Sequence, residues 1–216
     1  MPLFRLDASI MPATSQSRAL ADLVESEWSA ENPGAAVVRR DIGSEPLSAT
    51  IWREAVTGGF AAEADRSPAQ RTALARAAEL ADELIEADAV LLAIPLYNWG
   101  VPAHVKTWYD LTYTDPRIAG GALNDKPVVL ASVLGGNYNP GTPKDGWDHA
   151  TPWLTRVFRD VWGADLRVVQ RQFTLVGVDP AMDRFADQAA EIKAAAEQLA
   201  IEHGRAIATQ VQSLAA

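Results

Sequence analysis

The 216-residue sequence contains no cysteine. Disulfides, thiolate metal sites and cysteine nucleophiles are thereby excluded, and a reducing, cytoplasmic setting is expected. Long hydrophobic runs are also missing. The longest, Ala87–Pro95, carries Asp88 inside it and is strand-sized, far short of the ~20 apolar residues of a membrane span. The opening residues Met1-Pro2-Leu3-Phe4-Arg5-Leu6-Asp7 lack the basic start and apolar centre of a signal peptide. Basic residues are in deficit, 19 against 28 acidic, giving a net charge of −9. Neither nucleic acid nor an anionic membrane is therefore an expected partner. Only three histidines occur, His104, His149 and His203, and none has a second ligand at metal-binding spacing. No metal site is expected, and the absence of a G-x-S-x-G elbow leaves hydrolytic chemistry unsupported.

What is present is an ordinary globular composition, 48% hydrophobic and 22% charged. A chain of this length buries roughly 70% of its unfolded surface, so one domain spanning residues 1–216 is expected. Pro2–Ala8, Ala87–Ile94 and Pro127–Ser132 are short, almost continuously apolar runs, the pattern of parallel strands covered on both faces. Ala35–Asp41 and Leu166–Leu175 are weaker strand candidates. Helical spacing marks Ser17–Ala30, Ser67–Glu86, Val101–Leu111, Thr151–Trp162 and Asp179–Leu214. Ser67-Pro68 and Asp179-Pro180 are cap-plus-proline starts, and Gly204 is expected to weaken or interrupt the last helix. Strands alternating with helices imply an α/β parallel sheet with helices on both faces. Ser44–Arg66 reads as an excursion without strand character, and Gly135–Asp148 as a loop of functional length. Trp108, Trp153 and Trp162 fall on helical patterns, at core or interface positions.

Two strand-to-helix junctions carry the chemistry. Between the first strand and first helix, Ser9, Thr14, Ser15 and Ser17 offer four hydroxyls beside a helix start, where unpaired N–H groups and the dipole favour an anion. The loop has no glycine, which excludes G-x-G-x-x-G, and a phosphate-cradling G-x-x-x-x-G-K-[ST] occurs nowhere. A monophosphate such as that of FMN suits it best; the competing reading is that these serines only turn the chain and cap the helix. After the most hydrophobic strand, Tyr97 and Trp99 flank Asn98 beside Gly100. A flat redox ring needs such apolar faces and backbone donors, although aromatics at this place can equally plug helix packing.

Pro95-Leu96-Tyr97-Asn98-Trp99-Gly100-Val101-Pro102, followed by Lys106 and Asp110, resembles the signature of the FMN-dependent NADH-azoreductase and NAD(P)H:quinone oxidoreductase family of the flavodoxin-like superfamily. The Ser9…Ser15-Gln16-Ser17 loop is similar to that family's phosphate loop, and Val133-Leu134-Gly135-Gly136 stands where the family has a segment ending in Gly-Gly. The resemblance implies a five-stranded parallel sheet of order 2-1-3-4-5 with helices on both faces. It implies that Ser9, Ser15, Gln16 and Ser17 hold the FMN phosphate. Pro95, Leu96, Tyr97, Asn98 and Trp99 would lie along the flavin, and Val133, Leu134, Gly135 and Gly136 beside its N1–O2 edge. Apart from the resemblance, Tyr138, Trp147 and His149 are candidates for the substrate side of the flavin because they fall in or beside the loop after the fourth strand.

Two departures stand out. The family often has an arginine before the Gly-Gly pair, where this chain has Leu134, and Thr112–Asp125 lacks an aromatic-rich insertion. The implied activity is hydride transfer from NADH or NADPH through flavin N5 to a quinone or azo acceptor, with no catalytic side chain required. A homodimer with the flavin pocket at its interface is also implied. A biosynthetic reductase with one dedicated substrate and a flavodoxin-like electron carrier are the alternatives.

Overall fold

The computed structural model describes residues 1–215; Ala216, the end of the expected domain, lies outside them. Five strands, β1 (Leu3–Asp7), β2 (Val37–Asp41), β3 (Ala89–Pro95), β4 (Pro127–Val133) and β5 (Asp165–Arg171), form one sheet in the order β2-β1-β3-β4-β5. Every neighbouring pair is parallel, with Leu3 opposite both Val37 and Ala89, Val90 opposite Val128, and Pro127 opposite Asp165. The three expected buried strands are the three central ones, fully buried along their lengths, as parallel strands between two helix layers must be.

The helices are α1 (Gln16–Glu31), α2 (Ile51–Phe60), α3 (Pro68–Glu86), α4 (Ala103–Thr112), α5 (Pro116–Ala119), α6 (Thr151–Thr155) and α7 (Ala186–Ala215). α1 and α7 cover one face, burying Leu20, Val24, Trp28, Ile207 and Val211 against Leu3, Leu91, Val129 and Val169. α2, α3, α4 and α6 cover the other, where Leu80, Leu84, Trp108 and Leu154 meet Phe4, Leu92 and Leu130. The period of two along each strand sorts these side chains to opposite faces. A charge sits within this sheet: Arg5, 3% exposed, bonds Asp7 at 3.1 Å, Asp22 at 2.7 Å and Glu25 at 2.9 Å. Three carboxylates around one guanidinium meet the requirement that a buried charge be paired.

Several boundaries differ from the sequence expectation. The Ser44–Arg66 excursion contains α2, which has no side-chain cap to announce it and is held by Ala55, Leu47 and Ile51 packing on the core. The expected helix Thr151–Trp162 is α-helical only to Thr155 and continues as a wider π-type turn over Arg156–Val161. There Trp162 N–H donates five residues back to Val157, and Phe158 and Trp162, both buried, lie 5.0 Å apart between ring centroids. The last helix begins as a tight 3-10 segment, Pro180–Phe185, before α7 proper.

Gly204 corrects a further expectation, because α7 runs through it without a break. A Cβ there would lie 2.6 Å from the Val24 carbonyl oxygen, so the glycine lets α7 approach the backbone of α1. The fifth strand ends at Arg171 rather than Leu175: Phe173 takes a left-handed φ of 59°, which turns the chain out of the sheet. Among the described residues no helix is long and apolar enough to cross a membrane.

Candidate functional site

Loops leaving the carboxyl ends of β1, β3, β4 and β5 converge on one cleft of about 440 Å³, where ligands bind in open α/β sheets. Its volume is in the ordinary range for a small-molecule site.

The β1 loop forms one wall. Ser15 caps α1, its Oγ accepting from Arg18 N–H at 3.2 Å, and Ser17 Oγ lies 3.1 Å from Ser15 Oγ. The N–H groups of Gln16 and Ser17 have no partner among the described residues, as the first turn of a helix dictates. Ser9, 4% exposed, accepts from Met11 N–H at 3.2 Å. Tyr97 Oη accepts from Ile10 N–H at 3.1 Å and lies 3.5 Å from Ser9 Oγ, so the β3 loop braces the β1 loop.

The β3 loop is a miniature hairpin. Tyr97 and Gly100 exchange both backbone hydrogen bonds, at 3.2 and 3.0 Å. Asn98 and Trp99 between them have φ of 48° and 65°, the positive values that a two-residue reversal of this hand demands. Asn tolerates this conformation, whereas an indole-bearing residue rarely adopts it. The N–H groups of both residues have no partner among the described residues. The turn is held from behind: His149 N–H donates to Trp99 O at 3.0 Å, and Trp147 packs edge-on against the Trp99 ring at 5.9 Å.

The third wall is the β4 loop. Residues after β5 fold back on it, so that Phe173, Thr174 and Leu175 N–H donate to the carbonyls of Gly136, Leu134 and Gly135. The N–H groups of Gly135, Gly136 and Asn137 remain without partners among the described residues. Three separate loops thus bring unpaired N–H groups to one cleft.

Of the residues singled out in the sequence, Ser9, Ser15, Gln16, Ser17, Pro95, Leu96, Tyr97, Asn98, Trp99, Val133, Gly135 and Tyr138 border the cleft. Leu134 does not, being 1% exposed with its side chain buried. Gly136 is next to the lining residue Gly135 without itself bordering the cleft, and Trp147 and His149 support the Trp99 turn rather than bordering it. Thr14, the fourth hydroxyl of the β1 loop, borders the cleft too, and so do Met11, Lys144, Thr174, Leu175 and Val178, which the sequence did not single out. Leu175 and Val178 escape a sequence reading because the turn at Phe173 re-aims the segment after β5.

Three further residues act from outside the wall. Arg171 donates to Gln16 Oε1 across the sheet edge, and burial lowers its pKa. Arg18 bonds Asp41 at 2.7 Å and reaches Ser9 O at 3.5 Å. Gly43 lies directly beneath the Ser9 carbonyl. No local pattern signals them, since each acts through a residue distant in sequence. Tyr138 has its pKa raised by burial, with Asp148 adding to the effect.

The profile of a family described as having the flavodoxin-like fold matches residues 1–199. The chain belongs to this flavodoxin-like family. Among its relatives is an FMN-dependent NADH:quinone oxidoreductase of Parafrankia sp., 31% identical over 94% of this chain and 99% of its own length. Another, from Streptomyces avermitilis and bearing the same name, is 32% identical over 95% and 96%. This flavodoxin-like chain also shares its fold with two solved structures from Bacillus anthracis. One is an azoreductase, with a TM-score of 0.78 at 21% identity over 95% of this chain and 99% of that one. The other is an FMN-dependent NADH-azoreductase in complex with FMN, with a TM-score of 0.70 at 15% identity over 93% and 100%.

Proposed function

We propose that this protein is an FMN-dependent NADH:quinone oxidoreductase that also accepts azo compounds. The observation that carries the reading is the donor set of the cleft. Three loops contribute N–H groups without partners among the described residues, beside the hydroxyls of Ser9, Ser15 and Ser17. Among the described residues no carboxylate borders the cleft, although the chain carries a net charge of −9. That combination fits a phosphorylated, flat, hydrogen-bond-accepting cofactor. The names of the relatives at 31–32% identity agree with it.

Ser9, Ser15, Gln16 and Ser17 would hold the phosphate with hydroxyls and the first N–H groups of α1, where the helix dipole favours negative charge. Leu96, Tyr97, Asn98 and Trp99 would hold the ring, and Gly135 and Gly136 would offer it main-chain donors. When bound, FMN supplies the hydride chemistry, accepting from NADH and passing reducing equivalents to the acceptor. The protein binds, orients and shields: Tyr97 fixes the phosphate loop through Ile10, and Trp147 and His149 fix the Trp99 turn. Preorganised donors of this kind act without reorganising during the reaction.

Exposed apolar side chains border the cleft, with Met11 60%, Trp99 47% and Val178 74% exposed. We read these as covered by a second copy in a cytoplasmic homodimer. Steady-state oxidation of NADH by the FMN-loaded protein with benzoquinone tests the activity. Turnover that requires added FMN supports the reading. A flavin that cycles only with a protein partner would favour an electron carrier instead.

A further inference from the structure

We propose that Lys144 supplies, from the loop after β4, the positive charge that Leu134 cannot, and thereby raises the reduction potential of the flavin. This inference rests on the FMN reading above. Residue 134 puts nothing charged into the cleft: Leu134 is buried, and its carbonyl is taken by the N–H and hydroxyl of Thr174, both at 3.1 Å. The cation comes from ten residues further along the chain.

The sequence has four lysines. Lys106 is paired with Asp110 and Lys193 with Glu197. Lys126 donates to the carbonyls of Leu84, Ile85 and Ala87. Lys144 alone among them borders the cleft, and among the described residues no carboxylate pairs with it. Its acidic neighbours are engaged elsewhere. Asp145 accepts from Gly141 N–H at 3.0 Å, and Asp148 from the N–H groups of Ala150 and Thr151 at 3.0 and 2.9 Å.

The side chain is also placed. Nζ lies 5.4 Å from the centroid of the Tyr138 ring, a cation–π distance. A Cβ built on Gly136 would meet Nζ at 3.4 Å, so the ammonium rests against the segment whose N–H groups lack partners. A cation beside preorganised donors favours whichever redox state carries more negative charge, and for a flavin that is the reduced one. Charge near the ring is one of the levers by which a protein sets a cofactor's potential.

The test is a spectroelectrochemical titration of the FMN-loaded wild type, Lys144→Met and Lys144→Arg. The Met variant should keep oxidised FMN and lose about tenfold of its preference for the reduced form, a shift of ~30 mV to more negative potential. The Arg variant should keep the wild-type potential. A loop disturbed for merely structural reasons would weaken both redox states alike and leave the potential unmoved. Should the Met variant lose its flavin, Lys144→Gln serves in its place, with the same shift expected. A neutral variant that holds FMN at the wild-type potential overturns the inference, as does an Arg variant that shifts as far as Met. Wild-type protein that takes up no FMN refutes the proposed function itself, and is recognised before any potential is measured.

Discussion

Gly43 and Ser9 touch through their backbones, so closely that a Cβ on Gly43 would lie 2.1 Å from the Ser9 carbonyl oxygen and 2.6 Å from its carbon. The glycine lies just past β2 and the serine just past β1, and Gly43 N–H is held by the Asp41 carboxylate at 3.1 Å. Its missing side chain is what lets the hydroxyl-bearing loop settle at the sheet edge.

Gly43→Ala should therefore act on the cofactor as well as on stability. Neither backbone has a flexible end to move, so Ser9 must shift, at an overpacking cost of about 1–3 kcal/mol. On the proposed phosphate role of Ser9, a displaced hydroxyl would lose a charge-assisted hydrogen bond worth about 1.5–3 kcal/mol, or roughly tenfold or more in FMN affinity. Titration of the variant with FMN, alongside its thermal unfolding, checks both effects.

Asp41 gives a pH dependence of defined sign. Burial alone would push its carboxyl up, but hydrogen bonds from Arg18 and Ser44 outweigh burial and hold it below the ordinary carboxylate value. A carboxylate whose folded value is depressed stabilises the fold above its unfolded value of about 4, and that contribution fades as pH falls through the folded value. The difference in Tm between wild type and Asp41→Asn should be constant above about pH 5 and shrink below about pH 4. A difference that grows on acidification would contradict this pairing.

Gly204→Leu should destabilise the packing of α1 on α7. The added side chain starts 2.6 Å from Val24 O and 2.8 Å from Glu27 Cβ, and an overpacked contact of this kind costs about 1–3 kcal/mol. Better helix propensity at an unpacked position would instead stabilise by roughly 1 kcal/mol. Chemical denaturation distinguishes these opposite signs.

The central strands are legible in the sequence because burial on both faces leaves β3 and β4 almost wholly apolar. The caps at Ser67 and Asp179 are legible because their hydrogen bonds are local, to Gln70 N–H and Ala181 N–H. α2 is not, since its stability comes from packing rather than from a cap. The same division runs through the site. The hydroxyls around Ser15 and the Tyr97–Gly100 turn announce themselves locally. Arg171, which reaches Gln16 across 155 positions, and Gly43, which is pressed against the Ser9 backbone, have meaning solely in three dimensions.

The most direct measurement is calorimetric titration of the cofactor-free protein with FMN and, separately, with riboflavin. One FMN per chain should bind, riboflavin should bind at least about tenfold more weakly, and Ser17→Ala should cost ~1 kcal/mol or more with FMN. No binding of FMN, or riboflavin binding as tightly as FMN, would contradict the assignment of the Ser9–Ser17 loop as a phosphate site.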